Sequence, residues 1–141
     1  MAINWFPGHM AKTRRLISEN IKKVDIVVEL ADARIPESSR NPILQELLGE
    51  KKRMLILNKC DMADPRMNDK WQSYYEKQGI RTLLCDSLTG KGVNKLPGVL
   101  REILKDKIER DAAKGMSRPI KIMVVGVPNV GKSSIINKLS G

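Results

Sequence analysis

The run with the clearest chemistry is Gly126-Val-Pro-Asn-Val-Gly131-Lys132-Ser133, which fits G-x-x-x-x-G-K-[ST] without a mismatch. Gly126 and Gly131 permit backbone conformations that turn successive N–H groups inward around a phosphate. A helix opening near Lys132 adds the positive end of its dipole to the same anion. Lys132 has the length to reach β- and γ-phosphates, and the Ser133 hydroxyl suits Mg²⁺. The alternative is a plain glycine turn that matches by chance. The motif follows an apolar strand pattern and opens a helix, as phosphate binding requires, so it reads as a nucleoside-phosphate site.

Asn58-Lys59-Cys60-Asp61 follows another apolar run. It resembles N-K-x-D, the guanine-reading element of GTPases. An Asp carboxylate accepts from guanine N1–H and N2–H₂, a donor pair that adenine lacks. Asn58 can bridge towards the base and brace the phosphate loop, while the aliphatic stem of Lys59 covers one face of the base. Alone the run is weak, since turns after strands often contain Asn and Asp; beside a phosphate loop it gains weight. Asp86-Ser87-Leu88-Thr89-Gly90 stands where an S-A-x loop would direct backbone N–H groups to guanine O6. Leu88 departs from the usual Ala and is bulkier near the base. Taken by itself this segment is as well explained as a polar loop.

These loops need strands to present them. Asp25–Leu30, Met54–Leu57, Arg81–Cys85 and Ile120–Val125 read as four buried strands. Between them lie helical patterns: Met10–Lys23; roughly Pro42–Leu48, stopped by Gly49; from Pro65 to Gly79; and Asn94 to about Lys114, a long charged helix. A last helix runs to Leu139. The alternation predicts an α/β fold of three layers, a parallel sheet with helices on both faces. All the loops named above then fall at strand C-terminal ends, where such sheets bind ligands. Ala112–Lys121, with Gly115 and Pro119, is the most linker-like stretch.

At 141 residues the chain has the length of one domain, 1–141, and 41% apolar with 30% charged residues suit a packed core. No run approaches the ~18 apolar residues of a membrane span. Cys60 and Cys85 stand in no paired-ligand spacing, which excludes a disulfide framework and a cysteine-based zinc site. The N-terminal residues lack the apolar core of a signal peptide, and Pro7-Gly8 interrupts any amphipathic transit helix, so a cytoplasmic location is expected. The 26 Lys+Arg against 16 Asp+Glu, net +10, favour an anionic partner such as nucleic acid.

In ordinary GTPases the phosphate loop precedes N-K-x-D; here the order is reversed. With Trp5-Phe-Pro-Gly-His-Met10, Asp32-Ala-Arg-Ile-Pro36, the N-K-C-D run, the Ser87 loop and the phosphate loop in this order, the sequence resembles the circularly permuted GTPases of the YlqF/RbgA type. The motifs span nearly the whole chain. The resemblance implies a P-loop GTPase fold in permuted order, with the fourth strand beside the first and then the second and third, and GTP/GDP with Mg²⁺ as ligands. It also implies a role in assembling the large ribosomal subunit, with that subunit or its precursor and ribosomal RNA as partners, and no membrane. Nucleotide contacts are expected at Asn58, Lys59, Asp61, Ser87, Leu88, Asn129, Val130, Gly131, Lys132, Ser133 and Ser134. Lys132 would stabilise charge in catalysis, and Ser133 would hold Mg²⁺. Asn129 would either help hold K⁺ beside the phosphates or make a local turn bond.

His9 is the only histidine. The resemblance allows it to orient the attacking water or contact RNA; capping or packing of the first helix is the alternative. Arg34 can serve as an electrostatic partner of phosphate, or Asp32 and Arg34 can clasp their own loop. Lys12, Arg14, Arg15, Lys22 and Lys23 form either an RNA-facing patch or a solvated helix face. Trp71, Tyr74 and Tyr75 read as helix packing, and at 4% aromatic residues the chain is poorly equipped for stacking on single strands. No D-x-x-G follows Ser133. The switch regions and the family's C-terminal helical domain are therefore expected outside this sequence, making it incomplete at its C-terminus and a poor GTPase alone. The rival readings are an ATP-using P-loop enzyme and a non-catalytic RNA- or ribosome-binding module.

Overall fold

The computed structural model describes residues 2–5, 10–34, 36, 46–59, 63–86 and 89–126. Five strands, β1 (Ala2–Trp5), β2 (Ile26–Asp32), β3 (Arg53–Asn58), β4 (Arg81–Leu84) and β5 (Lys121–Gly126), form one sheet in the order β1-β5-β2-β3-β4. All pairings are parallel. The four expected strands are present in the expected order. The fifth, β1, was not anticipated: four residues ahead of Pro7-Gly8 carry too little periodicity to be told from a loop. It becomes a strand by pairing with β5, whose outward backbone groups need partners.

Side chains alternate across the sheet and divide the core. Ile26, Val28, Leu30, Met54, Ile56, Ile122 and Val124 face one side, where Leu96, Leu100 and Leu104 pack on them. These leucines recur every four residues along α3 (Leu96–Ile103) and its exit, so one stripe enters the core. Val27, Met123 and Val125 face the other side and meet Ile17 of α1 (Met10–Asn20), with Leu48. Beside them, Ala31, Leu55 and Leu57 meet Tyr75 of α2 (Pro65–Lys77). Helices thus cover both faces in three layers.

Two helical expectations change. The pattern from Met10 to Lys23 ends as a helix at Asn20 and continues as a 3-10 turn, Ile21–Lys23. The long charged helix from Asn94 is a 3-10 turn, Val93–Lys95, then α3 and α4 (Lys105–Ala113). They join at Leu104, where φ −98° and ψ 16° depart from helical values. The bend falls where the apolar stripe ends: Leu104 is buried, whereas α4 buries no residue. By contrast α2 begins as its sequence dictates, with Pro65 in the first turn and the Asp64 carboxylate accepting from Arg66 N–H at 2.9 Å. Of its aromatic residues, Tyr75 is fully buried, Trp71 lies stacked at 5.8 Å from it, and Tyr74 is 49% exposed. Packing therefore explains Tyr75 and Trp71 but only one edge of Tyr74. The expected helix to Leu139 lies outside the described residues, as does most of the one beginning near Pro42; residues 46–48 are its helical end, and Gly49 follows at φ 54°.

Candidate nucleotide site

Parallel pairing brings the chemistry-bearing strand ends to one edge. Leu30 of β2 stands opposite Gly126, where the phosphate loop begins. Two residues on, Asp32 stands opposite Asn58, the first residue of N-K-C-D. Across β3, Leu57 pairs with Leu84, and Cys85 N–H donates to the Leu57 carbonyl at 2.9 Å. The starts of the phosphate loop, the base-reading run and the Asp86 loop therefore share one rim, with the Asp32 loop between the first two.

Asn58 is fully buried, and its carbonyl accepts from Ala33 N–H at 2.7 Å, which ties the exits of β2 and β3 together. Lys59 then turns the chain at φ 63°, the left-handed region, at a cost of about 1–2 kcal/mol for a residue with a Cβ. Its ammonium lies 3.7 Å from Asp32 Oδ2. Asp32 is itself buried and clasped. Arg34 donates from its backbone N–H to Oδ1 at 2.9 Å, from Nε to Oδ1 at 3.0 Å, and from Nη2 to Oδ2 at 2.6 Å. The Arg34 hydrogen bonds hold the Asp32 carboxyl below its ordinary value, outweighing the burial that pushes it up. The same contact raises Arg34. Of the two readings of this loop, the structure displays the clasp.

The Asp86 loop is closed at its base. Asp86 N–H donates to the Lys91 carbonyl at 2.8 Å, and Gly90 N–H to the Asp86 carbonyl at 2.8 Å. The Asp86 carboxylate accepts from Thr89 N–H at 3.4 Å. Asp86 is 4% exposed, so it braces the loop that carries Ser87 and Leu88. An Asp followed by a Gly/Thr turn is the signal for this role. Gly92 carries no comparable signal: it sits at φ 78° where an added Cβ would stand 2.2 Å from the Leu84 carbonyl oxygen.

The structure thus places Asn58 and Lys59 of the expected site residues. His9, Asp61, Ser87, Leu88, Asn129, Val130, Gly131, Lys132, Ser133 and Ser134 lie outside the described residues. In the basic segment, Arg14 pairs with Glu46 at 2.8 Å and Arg15 with Glu19 at 3.9 Å, while Lys22 and Lys23 are exposed. The side chain of Lys12 is not among those described. No helix among the described residues is long and apolar enough to cross a membrane.

Known proteins match the chain over nearly its whole length. Residues 121–141 match the family described as 50S ribosome-binding GTPase. The chain is 51% identical over 141 residues to ribosome biogenesis GTPase A of Bacillus pumilus (strain SAFR-032), covering 99% of this chain and 50% of that protein. It is 42% identical over 136 residues to mitochondrial ribosome-associated GTPase 1 of Mus musculus, covering 96% and 41%. The crystal structure of GNP-bound YlqF from T. maritima superposes with a TM-score of 0.67 at 33% identity, covering 92% of this chain and 48% of that one. The GDP-bound form gives 0.65 at 33% identity, covering 90% and 48%. The chain spans about half the length of the curated relatives it matches. In sequence and in fold, the chain is similar over nearly its whole length to about half of these YlqF/RbgA-type GTPases.

Proposed function

We propose that this chain supplies the guanine-nucleotide site of a cytoplasmic GTPase that acts in assembling the large ribosomal subunit, with ribosomal RNA as its anionic partner. The observation that carries this reading is the shared rim: Gly126, Asn58-Lys59 and the Asp86 loop leave adjacent parallel strands at one edge. From β5 to β4 the rim crosses three strand spacings, about 14 Å, a span that an extended nucleoside triphosphate bridges. The phosphates would lie over β5 and the base between β3 and β4.

In that arrangement the loop N–H groups and Lys132 stabilise the charge that develops as water attacks the γ-phosphate in line. Asp61 and Asn58 select guanine, and backbone donors near Ser87 and Leu88 approach its O6. Mg²⁺ takes most of its ligands from phosphate oxygens and water, needing few from protein. Ser133 would supply a suitable oxygen. When bound, the ion would supply positive charge that offsets the charge on the phosphate oxygens. Val130, Gly131 and Ser134 would contribute backbone and hydroxyl contacts to phosphate. Asn129 would help to hold K⁺, so turnover should be faster in K⁺ than in Na⁺, and equal rates would remove that role. His9 would orient water or contact RNA; unchanged hydrolysis in His9→Ala with the ribosomal partner present would reject the catalytic part.

Competition between GTP and ATP for the full-length protein tests the central reading. Displacement of labelled GDP by GTP but not by equimolar ATP is expected, and a preference for ATP overturns it. Nucleotide-indifferent, salt-sensitive RNA binding without GTP turnover would favour the non-catalytic module instead.

A further inference from the structure

Lys59 is held by a residue from a different loop, and that residue is fixed in place. We infer that Asp32 is a positioning residue for guanine-nucleotide binding: its carboxylate directs the Lys59 side chain, and the Asp32–Ala33 step anchors the turn from which Lys59 projects. This rests on the reading of Asn58-Lys59-Cys60-Asp61 as the base-recognition element.

The backbone part of the argument begins with register. Asp32 and Asn58 are opposite one another at the ends of β2 and β3. Ala33 N–H donates to the Asn58 carbonyl at 2.7 Å, so the peptide plane entering Lys59 is pinned by the exit of β2. Lys59 is the non-glycine residue with positive φ among the described residues, at 63°. A side chain leaving a left-handed residue takes a direction that an ordinary strand continuation would not give it. The Asp32 loop therefore shapes the turn as well as its charge.

The side-chain part is a matter of which partner is the more buried and the more tightly bonded. Four donations from Arg34, at 2.6 to 3.2 Å, hold both oxygens of Asp32. The Asp32 side chain is only 6% exposed, whereas Lys59 has a four-carbon stem and is 24% exposed. The clasped, more buried carboxylate is the fixed point to which the longer, more exposed lysine side chain reaches. At 3.7 Å the contact is an ion pair beyond close hydrogen-bond distance, so it orients the ammonium without claiming a particular N–H. One carboxylate between two cations leaves a net positive charge on the rim between the phosphate and base loops, matched to a nucleotide's polar side.

A purely structural role for Asp32, clasping its own loop through Arg34, makes different predictions. The test uses the full-length protein and the dissociation constant of fluorescent GDP for wild type, Asp32→Asn, Lys59→Met, the double variant and Arg34→Met. Lys59→Met removes the charge but keeps an apolar stem. The expected result is a loss of about tenfold for Asp32→Asn and for Lys59→Met, with the double variant no weaker than Lys59→Met alone. Arg34→Met, which releases the carboxylate from its clasp but leaves its charge, should lower the thermal midpoint and weaken GDP binding by less than Asp32→Asn does. Losses that multiply in the double variant, or an Arg34→Met loss equal to that of Asp32→Asn, overturn the inference. Should Asp32→Asn fail to fold, Asp32→Glu displaces the carboxylate by one methylene. It must then weaken GDP binding beside Lys59 and have no effect beside Met at that position; equal loss in both backgrounds overturns the inference. Failure of wild type to bind GDP would instead remove the base-recognition reading, and this inference with it.

Discussion

Gly92 and Gly90 offer a controlled comparison within the loop that follows β4. Both occupy the left-handed region, at φ 78° and 84°. An alanine at either position carries the same backbone cost, about 1–2 kcal/mol. Their surroundings differ. An added Cβ at Gly90 meets nothing within 4 Å, whereas at Gly92 it stands 2.2 Å from the Leu84 carbonyl oxygen and 3.3 Å from Cys85 Cα. Both obstacles are backbone, so neither can rotate away. The oxygen must retreat by roughly 1 Å, and such shifts in packed sites cost about 1–3 kcal/mol. Gly92→Ala should therefore destabilise by about 2–5 kcal/mol, and Gly90→Ala by about 1–2 kcal/mol.

Equilibrium urea unfolding of wild type and the two variants measures the difference directly. Equal losses would refute the contact argument, because the dihedral cost is shared. A Gly92→Ala loss within about 0.5 kcal/mol of zero, the usual range for surface changes, would refute the whole estimate. A functional consequence follows from the same geometry. Leu84 leads through Cys85 into Asp86, whose backbone and carboxylate close the loop bearing Ser87 and Leu88. Displacing the end of β4 should thus weaken GDP binding more in Gly92→Ala than in Gly90→Ala.

Leu100→Ala removes a fully buried side chain between α3 and the sheet and should cost about 2–5 kcal/mol in the same unfolding measurement. Tyr75→Ala should cost about 3–5 kcal/mol, in line with other buried aromatic truncations, while Tyr74→Ala, at a half-exposed position, should cost less than about 1 kcal/mol. Arg34 holds the folded-state pKa of Asp32 below its ordinary 3.8, so the stabilisation is complete above that value and is lost as pH falls through the folded pKa. The stability gap between wild type and Asp32→Asn should accordingly be constant near neutrality and shrink below about pH 4; a gap that widens on acidification contradicts the assignment.

Where local pattern and tertiary context agree, the sequence was readable. Four strands, their order and the start of α2 follow from apolar runs, Pro65 and the permuted order of motifs. β1 was not legible because its four residues owe their state to a neighbour far along the chain. The bend at Leu104 was hidden for a different reason: charge and helix propensity continue smoothly through it, and only the end of the buried stripe marks the change. In the site, Asn58 and Lys59 announced themselves by motif. The ion pair from Asp32 to Lys59 did not, since 26 residues of chain and a strand pairing lie between them. Sequence spacing within Asp32-Ala-Arg34 suggested a clasp but could not show that the same carboxylate faces the base-reading run.

That cross-link clarifies why a permuted chain order is physically acceptable. In a parallel sheet every strand delivers its loop to the same edge, so the site depends on lateral neighbours and not on which strand comes first. Here β2 pairs with β5 on one side and β3 on the other, and its end contributes neither the phosphate loop nor the guanine element. It stands between them. Ala33 holds the peptide entering Lys59, and Asp32 faces the Lys59 ammonium, while two residues earlier Leu30 is in register with Gly126. The connections that link the strands can be rewired, but these lateral contacts cannot be exchanged without separating the proposed base half of the rim from its proposed phosphate half. Substitutions at the end of β2 should therefore reach nucleotide binding more readily than equally buried changes at the strands' opposite ends.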